Sequence, residues 1–432
     1  MKPVQPVGFP SRWATAPLWT LFRRASVRGI EDADLLSVYR DHGVVPRGFT
    51  DDNWNRIPED LTNYLLVEPG DLVLNKMKAW QGSLGVSQLR GIVSPAYFVF
   101  KPSRSGYDPR FLNALLRARP FVDSYGRMSG GIRVDQWDLD PWAFSRLQIP
   151  LPPLEEQRAI ADFLDRETAK IDALIDKQTQ LIALLRERQT SAIESVIDRG
   201  ASQVTLGYFI DVLPGYAFAS EFFTQDGDGV RLLRGVNLKP GATEWSDEVR
   251  WPEGEAQLLR RYALATGDVV LGMDRPFVAG GTRVAVIGPS DLPCMLLQRV
   301  LRLRPRPSLD RDFLVLLLQS RAFKEYAEPE VTGVSVPHIS DAQVRAFRVP
   351  IPPIKEQRFL ASGIGRQLAR IDALIAKAEE FIALARERRA ALITAAVTGQ
   401  LDVRAARQDA LGDDLAAPLT DDEASRLDAD LA

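Results

Sequence analysis

The sequence predicts an α+β protein in which two tandem mixed α/β domains are separated by two long helices. These helices are expected to pair as an antiparallel coiled coil with pseudo-two-fold symmetry. A proline-rich connector occurs twice, as IPLPPLEEQRAIADFL at 149–164 and VPIPPIKEQRFLASGI at 349–364. Short β-like runs and helix-like stretches precede each copy. The interval is too long for a solenoid repeat, so it indicates duplication of a whole domain with its connector.

The composition is that of an ordinary globular protein. Of 432 residues, 45% are hydrophobic and 26% are charged, which supplies enough apolar side chains for cores. The single cysteine, Cys294, excludes an internal disulfide and favours a reducing compartment. The N-terminal residues lack the pattern of a signal peptide, and no apolar run is long enough to cross a bilayer. We therefore expect a cytoplasmic protein with no membrane partner.

Charge is distributed unevenly along the chain. The net charge is -3, and residues 404–432 hold eight acids and three bases, so the rest of the chain is slightly positive. A protein that reads duplex DNA needs local cationic loops more than a basic total. The composition thus permits DNA binding without requiring it. The acidic segment 404–432 is predicted to be a disordered tail.

The two domains are predicted at residues 1–153 and 199–353. Their β-like runs and their helix-like stretches occur in the same order. In the first domain these are DLVLNKM at 71–77, YFVF at 97–100 and a helix-like stretch at 110–126; in the second they are DVVLGM at 268–273, TRVAVIG at 282–288, RVLRLRP at 299–305 and a helix-like stretch at 311–328.

Each connector is predicted to start in extended conformation and to continue as one long helix. Proline cannot occupy a helix interior, so the PLPP and PIPP segments precede the helices. Beyond them, apolar residues recur every three, four or seven positions, as in a coiled coil. The helices are expected at 154–198 and 354–403, each about 60 Å long. Mutual pairing would cover both apolar stripes; the alternative is that each helix packs on its own domain alone.

The repeated motifs resemble those of the specificity (S) subunits of type I restriction–modification systems. The resemblance is carried by IPLPPLEEQRAIADFLDRETAKIDALI and VPIPPIKEQRFLASGIGRQLARIDALI, with support from GDLVLNKMKAWQG, GIVSPAYFVFKP and RRAALITAAVTGQLDV. It extends from about residue 15 to residue 403. The resemblance implies that each domain is a target recognition domain reading half of a bipartite site in double-stranded DNA, and that the helical pair sets the spacer.

The same resemblance implies the partners. Methyltransferase subunits, two of them by expectation, would bind the helical region, and motor-nuclease subunits would join to cleave unmethylated DNA. The chain itself is then a non-catalytic subunit without a cofactor, while S-adenosylmethionine, ATP and Mg²⁺ are expected on the partners. The residues agree with this expectation, because G-x-x-x-x-G-K-[ST], G-x-G-x-x-G and N-P-P-[FY] motifs are absent and no metal site is predicted. The alternative is a protein–protein scaffold with two interaction domains and no DNA role.

Candidate DNA-binding residues lie in loops that follow predicted strands or helices. Lysine and arginine suit phosphate and guanine, glutamine suits adenine, and glycine-rich loops let the backbone approach phosphate. The candidates are Lys76, Lys78, Gln81, Ser129 and Arg133 in the first domain and Arg275, Arg283, Thr332, Ser335 and His338 in the second. A solvated turn is the competing interpretation of each loop.

The repeated Glu-Gln-Arg tripeptide is a candidate partner-binding motif. It comprises Glu156, Gln157 and Arg158 in the first connector and Glu356, Gln357 and Arg358 in the second. An acidic residue in the first turn also favours the helix dipole, which would explain the glutamates without a partner. Repetition of all three residues favours a shared packing or docking role.

Overall fold

A computed structural model describes residues 8–29, 33–48, 57, 60–131, 137–197, 202–224, 229–278, 281–328 and 338–403. The chain forms two compact units. One comprises residues 1–179 and 378–432, and the other comprises residues 180–377. The first and second long helices each contribute residues to both units.

The first unit contains strands and helices of mixed order. Its strands are β1 (Ala14–Pro17), β2 (Phe22–Ala25), β3 (Leu36–Tyr39), β4 (Gly43–Pro46), β5 (Leu65–Val67), β6 (Leu72–Asn75), β7 (Leu84–Val86), β8 (Gly91–Val93), β9 (Tyr97–Pro102), β10 (Ser129–Gly130), β11 (Asp138–Leu139) and β12 (Gln148–Leu151). Its helices are α1 (Leu18–Leu21), a 3-10 turn (Ala79–Gln81), α2 (Pro109–Arg117), α3 (Arg119–Met128), α4 (Pro141–Ser145) and the start of α5 (Leu154–Glu194).

The central sheet of the first unit is antiparallel, with strand order β2-β9-β6-β7. Both of its faces are buried. Leu72 and Leu74 of β6 pack into the core that α2 and α3 cover, whereas Val73, between them, packs with Leu36 and Val38 of β3. Successive side chains of a strand point to opposite faces, so a sheet covered on both sides requires the continuous apolar run seen in the sequence.

The second unit repeats this plan. Its strands are β13 (Gln203–Thr205), β14 (Ile210–Pro214), β15 (Val230–Leu233), β16 (Leu238–Lys239), β17 (Ala242–Thr243), β18 (Arg250–Trp251), β19 (Val269–Gly272), β20 (Phe277–Val278), β21 (Gly281–Thr282), β22 (Val284–Val286), β23 (Cys294–Leu296), β24 (Val300–Pro305) and β25 (Arg348–Pro350). Its helices are α6 (Glu253–Ala256), α7 (Arg311–Gln319), α8 (Arg321–Ala327), α9 (Asp341–Ala346) and the start of α10 (Ile354–Val397), with 3-10 turns at Leu206–Tyr208, Ser220–Phe222, Gly235–Asn237, Gln257–Tyr262 and Pro289–Asp291.

The central sheet of the second unit has the order β14-β24-β19-β22 and is again antiparallel. Val269 and Leu271 of β19 pack toward α7 and α8, and Val270 packs on the other face with Leu296 of β23. Each unit also pairs an early strand with the proline-containing strand that leads into a long helix, β1 with β12 and β13 with β25. The two units therefore share the central sheet and this strand pairing, whereas their other sheets differ, as in the parallel pairing of β15 with β23 in the second unit.

Both helix-like stretches are interrupted at matching places. Residues 110–126 form α2 and α3 rather than one helix, because Pro120 favours the start of a new helix over the interior of an old one. Residues 311–328 form α7 and α8, separated at Ser320. The Ser320 hydroxyl accepts a hydrogen bond from the Phe323 amide at 3.1 Å and so caps α8.

The long helices α5 and α10 contain 41 and 44 residues. The second ends at Val397, short of residue 403, because Gly399 adopts a φ of +70°. The Gln400 amide donates to the Ala395 carbonyl at 2.9 Å, which closes the helix in the manner of a glycine C-cap.

Each unit buries part of both long helices. In the first unit Ile171 of α5 packs against Phe381 and Ala385 of α10, and Arg389 Nε lies 2.8 Å from Asp172 Oδ1. In the second unit Ile193 of α5 and Leu368 of α10 belong to one core, and Gln189 Nε2 donates to Asp372 Oδ1 at 2.5 Å. Within each unit the two helices run in opposite directions.

The prediction of a mixed α and β fold with long helices is confirmed. The two long helices begin at Leu154 and Ile354, as the sequence pattern predicts, and β6, β9, β19, β22 and β24 begin within the predicted runs. The other central-sheet strands, β2, β7 and β14, were not predicted. Among the described residues, no helix combines the length and the apolar composition that crossing a bilayer requires.

Candidate nucleic-acid interface

In the first unit the candidate lysines lie in the loop that follows β6. The loop closes with the 3-10 turn Ala79–Gln81 and then Gly82, whose φ is +90°. A Cβ atom on Gly82 would also lie 3.1 Å from Val122 Cγ2, so glycine is needed here for both conformation and space. Lys78 is exposed and Gln81 is half-buried. The tight turn therefore fixes where the exposed Lys78 is presented.

Lys76 is held close to the sheet. Its Nζ donates to the Pro95 carbonyl at 2.5 Å and lies 4.8 Å from the centre of the Phe98 ring. The guanidinium of Arg24 lies 4.4 Å from the same ring. Burial and then the nearby charge of Arg24 lower the pKa of Lys76. Two cations thus share one aromatic side chain at this end of the sheet.

The loop after β6 lies beside the hairpin formed by β10 and β11. Ser129 pairs with Leu139, and the Leu139 amide donates to the Lys76 carbonyl at 3.2 Å. The rings of Trp80 and Trp137 are 5.0 Å apart. Ser129 Oγ donates to the Tyr125 carbonyl at 2.8 Å, so its hydroxyl is occupied by helix α3.

The structure therefore brings Lys76, Lys78, Gln81 and Ser129 to one end of the first unit. Arg133 lies outside the described residues. Exposed cations and aromatic rings occur together there, which is the chemistry of a surface that contacts phosphate and bases.

In the second unit Arg283 has a structural role. Its Nε donates to the Leu238 carbonyl and its Nη1 to the Asp274 carbonyl, both at 3.0 Å. Burial lowers the pKa of its guanidinium. Because this side chain hydrogen-bonds two backbone segments, it fixes the loop after β19.

Asp274 organises the loop after β19. Its Oδ1 lies 2.7 Å from His338 Nδ1 and accepts from Arg299 Nη1 at 3.1 Å. The next residue, Arg275, is exposed. Arg275, Arg283 and His338 are thus brought together, whereas Thr332 and Ser335 lie outside the described residues.

The glutamines of the repeated tripeptide are buried and hydrogen-bonded within their own units. Gln157 Oε1 accepts from the Asp108 amide at 2.9 Å, and its Nε2 donates to the Pro152 carbonyl at 2.8 Å. Asp108 is the residue that caps α2. The glutamine therefore joins the capped start of α2 to the start of α5.

Gln357 repeats this arrangement in the second unit. Its Oε1 accepts from the amide of Asp310, the cap of α7, at 2.7 Å, and its Nε2 donates to the Pro352 carbonyl at 2.7 Å and the Ser308 carbonyl at 3.0 Å. A partner protein would have no access to either glutamine, since Gln157 and Gln357 are 1% and 0% exposed.

The charged members of the tripeptides lie at the surface. Arg158, Glu356 and Arg358 are exposed. Glu156 Oε1 accepts from Trp13 Nε1 and from Arg12 Nη2, both at 3.2 Å. Arg358 Nε lies 3.6 Å from Asp310 Oδ2. These side chains remain the accessible part of the predicted docking motif.

The described residues hold no group of three or more His, Cys, Asp or Glu side chains placed to bind a metal ion. Cys294 is buried in the second unit, and burial raises the pKa of its thiol to about 12. A thiol with so high a pKa is protonated at neutral pH and is a poor nucleophile.

Comparison with known proteins finds similarity to one family. A model described as the type I restriction modification DNA specificity domain matches residues 131–183 and 255–379. The specificity subunit of the Escherichia coli type I restriction enzyme EcoAI is 39% identical over 153 residues, which cover 35% of this chain and 26% of that subunit. The MjaVIII specificity subunit of Methanocaldococcus jannaschii is 26% identical over 337 residues, which cover 72% of this chain and 74% of that subunit.

The chain is similar to type I restriction–modification specificity subunits. It matches about a quarter of the EcoAI subunit and about three quarters of the MjaVIII subunit. A solved chain from a study of complex assembly and conformational transition in the type I restriction–modification system has the same fold, with a TM-score of 0.67, 18% identity and coverage of 91% of this chain and 99% of that one.

Sequence reasoning missed several residues of this candidate interface. Arg24 and Trp137 lie far from the β6 loop in sequence, and no local pattern links them to it. Arg299 begins the predicted strand run at 299–305, and no local pattern links it to Asp274. The recurrence of Gln157 as Gln357 was the available signal for the buried hydrogen bonds, because a surface position has less reason to keep one amide in two diverged copies.

Proposed function

We propose that this chain is the DNA sequence-specificity subunit of a type I restriction–modification complex. Each domain reads one half of a bipartite site in double-stranded DNA, and the two long helices set the spacer between the halves. Methyltransferase subunits, two in number, dock on the helical region, and motor-nuclease subunits join the assembly.

The observation that carries the proposal is the matching loop at the end of β6 and of β19. In the first unit this loop gathers Lys76, Lys78 and Arg24 beside aromatic rings. In the second unit it gathers Arg275 and Arg299. Cationic side chains contact phosphate and guanine, so two such loops suit two contacts with one duplex. The similarity to type I specificity subunits makes DNA the expected ligand.

The two long helices have the length that separating two half-sites requires. A helix of 41 residues is about 60 Å long, whereas successive half-sites on one face of B-DNA are about 34 Å apart. We propose that α5 and α10 pair along their length as an antiparallel coiled coil with pseudo-two-fold symmetry. Buried Gln157 and Gln357 support this function by fixing the capped start of α2 or α7 to the start of a long helix.

The chain acts without catalysis of its own in this proposal. S-adenosylmethionine, ATP and Mg²⁺ belong to the partner subunits. Purified chain with these three compounds should therefore neither methylate nor cleave DNA, and activity in this preparation would contradict a non-catalytic role.

The direct test is to reconstitute the chain with its methyltransferase partner and to sequence the methylated adenines of a random DNA library. The expected result is two short specified segments separated by an unspecified spacer of constant length. Binding should weaken steeply with salt, because each neutralised phosphate releases counterions.

Two results would contradict the proposal. One contiguous methylated motif would exclude the bipartite site. Association with a protein partner that shows no salt-dependent affinity for DNA would instead identify a coiled-coil scaffold with two interaction domains.

A further inference from the structure

The second unit holds two arginines in an uncommon backbone conformation. Among the described non-glycine residues, Arg275 and Arg299 have positive φ values, of +44° and +71°. Such conformations are strained for residues other than glycine and concentrate at functional sites. Both arginines flank Asp274, because Arg275 follows it in the chain and the Met273 amide donates to the Arg299 carbonyl at 2.9 Å.

Asp274 fixes one nitrogen of the Arg299 guanidinium. Arg299 Nη1 donates to Asp274 Oδ1 at 3.1 Å, and His338 Nδ1 lies 2.7 Å from that oxygen. The Arg299 side chain is 57% exposed. Its Nε and Nη2 make no hydrogen bond to the residues that the structure describes. Asp274 therefore fixes the guanidinium at Nη1, and the N–H groups of Nε and Nη2 can donate to a ligand.

The first unit has different side chains on the same backbone framework. The Lys76 amide donates to the Ala96 carbonyl at 3.2 Å, just as the Met273 amide donates to that of Arg299. Ala96 therefore matches Arg299, and the residue after Lys76, Met77, matches Asp274. Two loops that read different base pairs must differ at such matching positions, whereas loops that contact phosphate alone have no such need.

We propose that Arg299 is a specificity-determining residue of the second domain and binds a guanine in the major groove, with Asp274 as its positioning residue. This inference rests on the proposed function in DNA recognition. The planar guanidinium group can donate to O6 and N7 of guanine together. This pair of hydrogen bonds distinguishes guanine from the other bases. Lysine keeps the charge that a phosphate needs but lacks the planar fork, so Arg299→Lys should weaken a two-pronged guanine contact more than a phosphate contact.

The experiment uses the reconstituted complex and compares Arg299→Gly and Arg299→Lys with the wild type by sequencing methylated sites in a random DNA library. Glycine removes the side chain and adopts a φ of +71° without strain. Arg299→Gly should lose discrimination at one G·C pair of one half-site by roughly 5- to 100-fold, with the other specified positions unchanged. Arg299→Lys should lose part of the discrimination at the same pair.

Arg321→Ala is the matched control. Arg321 is an exposed arginine of the same unit that is paired with one carboxylate, Glu325, at 2.6 Å. The control should keep the wild-type motif. Asp274→Asn keeps the size of the side chain and should relax discrimination at the same G·C pair as Arg299→Gly, an effect that a merely structural residue would not confine to one position.

Three results would overturn the inference. An unchanged motif in Arg299→Gly would show that no base contact exists. A uniform loss of affinity over all sequences, with a salt slope lower by about one and rescue by Arg299→Lys, would assign Arg299 to a phosphate. If the wild-type complex itself specified no bipartite motif, the proposed function would fail with it, and this outcome is distinct because it does not depend on the variant.

Discussion

At the start of each long helix, one buried glutamine satisfies polar groups from two parts of its unit. Gln157 accepts from the amide of Asp108 and donates to the carbonyl of Pro152. When one partner of a buried hydrogen bond is removed, the remaining group has no partner and no access to water. That group then bears the full cost of its desolvation. This hydrogen-bonding role explains why glutamine occurs at the same place in both connectors, as Gln157 and Gln357.

We expect Gln157→Ala to lower the free energy of unfolding by about 1–3 kcal/mol, because the Asp108 amide would be left unsatisfied. Chemical denaturation measures the change. Gln180→Ala is the control, since Gln180 lies exposed on the same helix. Equal stability of the two variants would show that the buried hydrogen bonds are not stabilising.

The hydrogen bonds of Asp291 should make the free energy of unfolding depend on pH. Burial opposes its ionisation, but hydrogen bonds from Thr243 Oγ1 at 2.6 Å, Trp245 Nε1 at 2.9 Å and the Gly288 amide at 2.7 Å outweigh burial and hold the pKa below the ordinary 3.8. A carboxylate with a lowered folded pKa stabilises the fold above the unfolded pKa, and this contribution is lost as the pH falls through the folded value.

Asp291→Asn should therefore cost about 1–3 kcal/mol at pH 7 and progressively less below about pH 4. Unfolding titrations between pH 7 and pH 3 measure the difference. Asp211→Asn, at an exposed carboxylate, should change stability by less than about 0.5 kcal/mol. A constant difference at all pH values would contradict the assignment.

At the scale of elements, the apolar stripe of α5 is selectively buried. Ile171 is 6% exposed and packs with Phe381 and Ala385, whereas Leu184 is 62% exposed. Ile171 belongs to the apolar stripe that predicted the helix, whereas Leu184 lies outside that stripe. Burial depends on the neighbouring side chains of α10, which lie far away in sequence.

Ile171→Ala should destabilise the protein by about 2–5 kcal/mol, because the change removes buried methyl groups and leaves a cavity. Leu184→Ala is the control on the same helix and should cost less than about 0.5 kcal/mol. Thermal or chemical unfolding of both variants checks the contrast. Similar losses for both would mean that the two positions are equally covered in solution.

Strands were predictable from the sequence and helix interruptions were not. The runs at 71–77 and 268–273 are continuous and apolar, and they became β6 and β19 because both faces of each sheet are covered. The break between α7 and α8 depends on the cap that Ser320 provides, and a lone serine within an apolar stretch carries a weak signal.

At the scale of the whole molecule, the length of α5 is predicted to set the DNA spacer. Four residues inserted after Leu181 would lengthen the helix by about 6 Å and turn its continuation by about 40° relative to the present phase. The reconstituted complex should then methylate a bipartite motif with the same two half-sites and a changed spacer. Sequencing of the methylated adenines measures both quantities.

Gln180→Ala controls for this experiment as well, since it changes the same stretch of helix without changing its length. The spacer of this variant should equal that of the wild type. An unchanged spacer in the insertion variant would refute the role of α5 in measuring the site.

The sequence by itself determined the duplication, the mixed fold and the two long helices, because periodicity and proline placement are local properties that a chain displays before it folds. The tertiary structure decided the rest. It placed Gln157 and Gln357 in buried hydrogen bonds, paired Arg299 with Asp274 and brought Arg24 to the loop after β6. These contacts join residues separated by tens of positions, and only the packing of the sheets and helices brings their atoms within hydrogen-bonding or van der Waals distance.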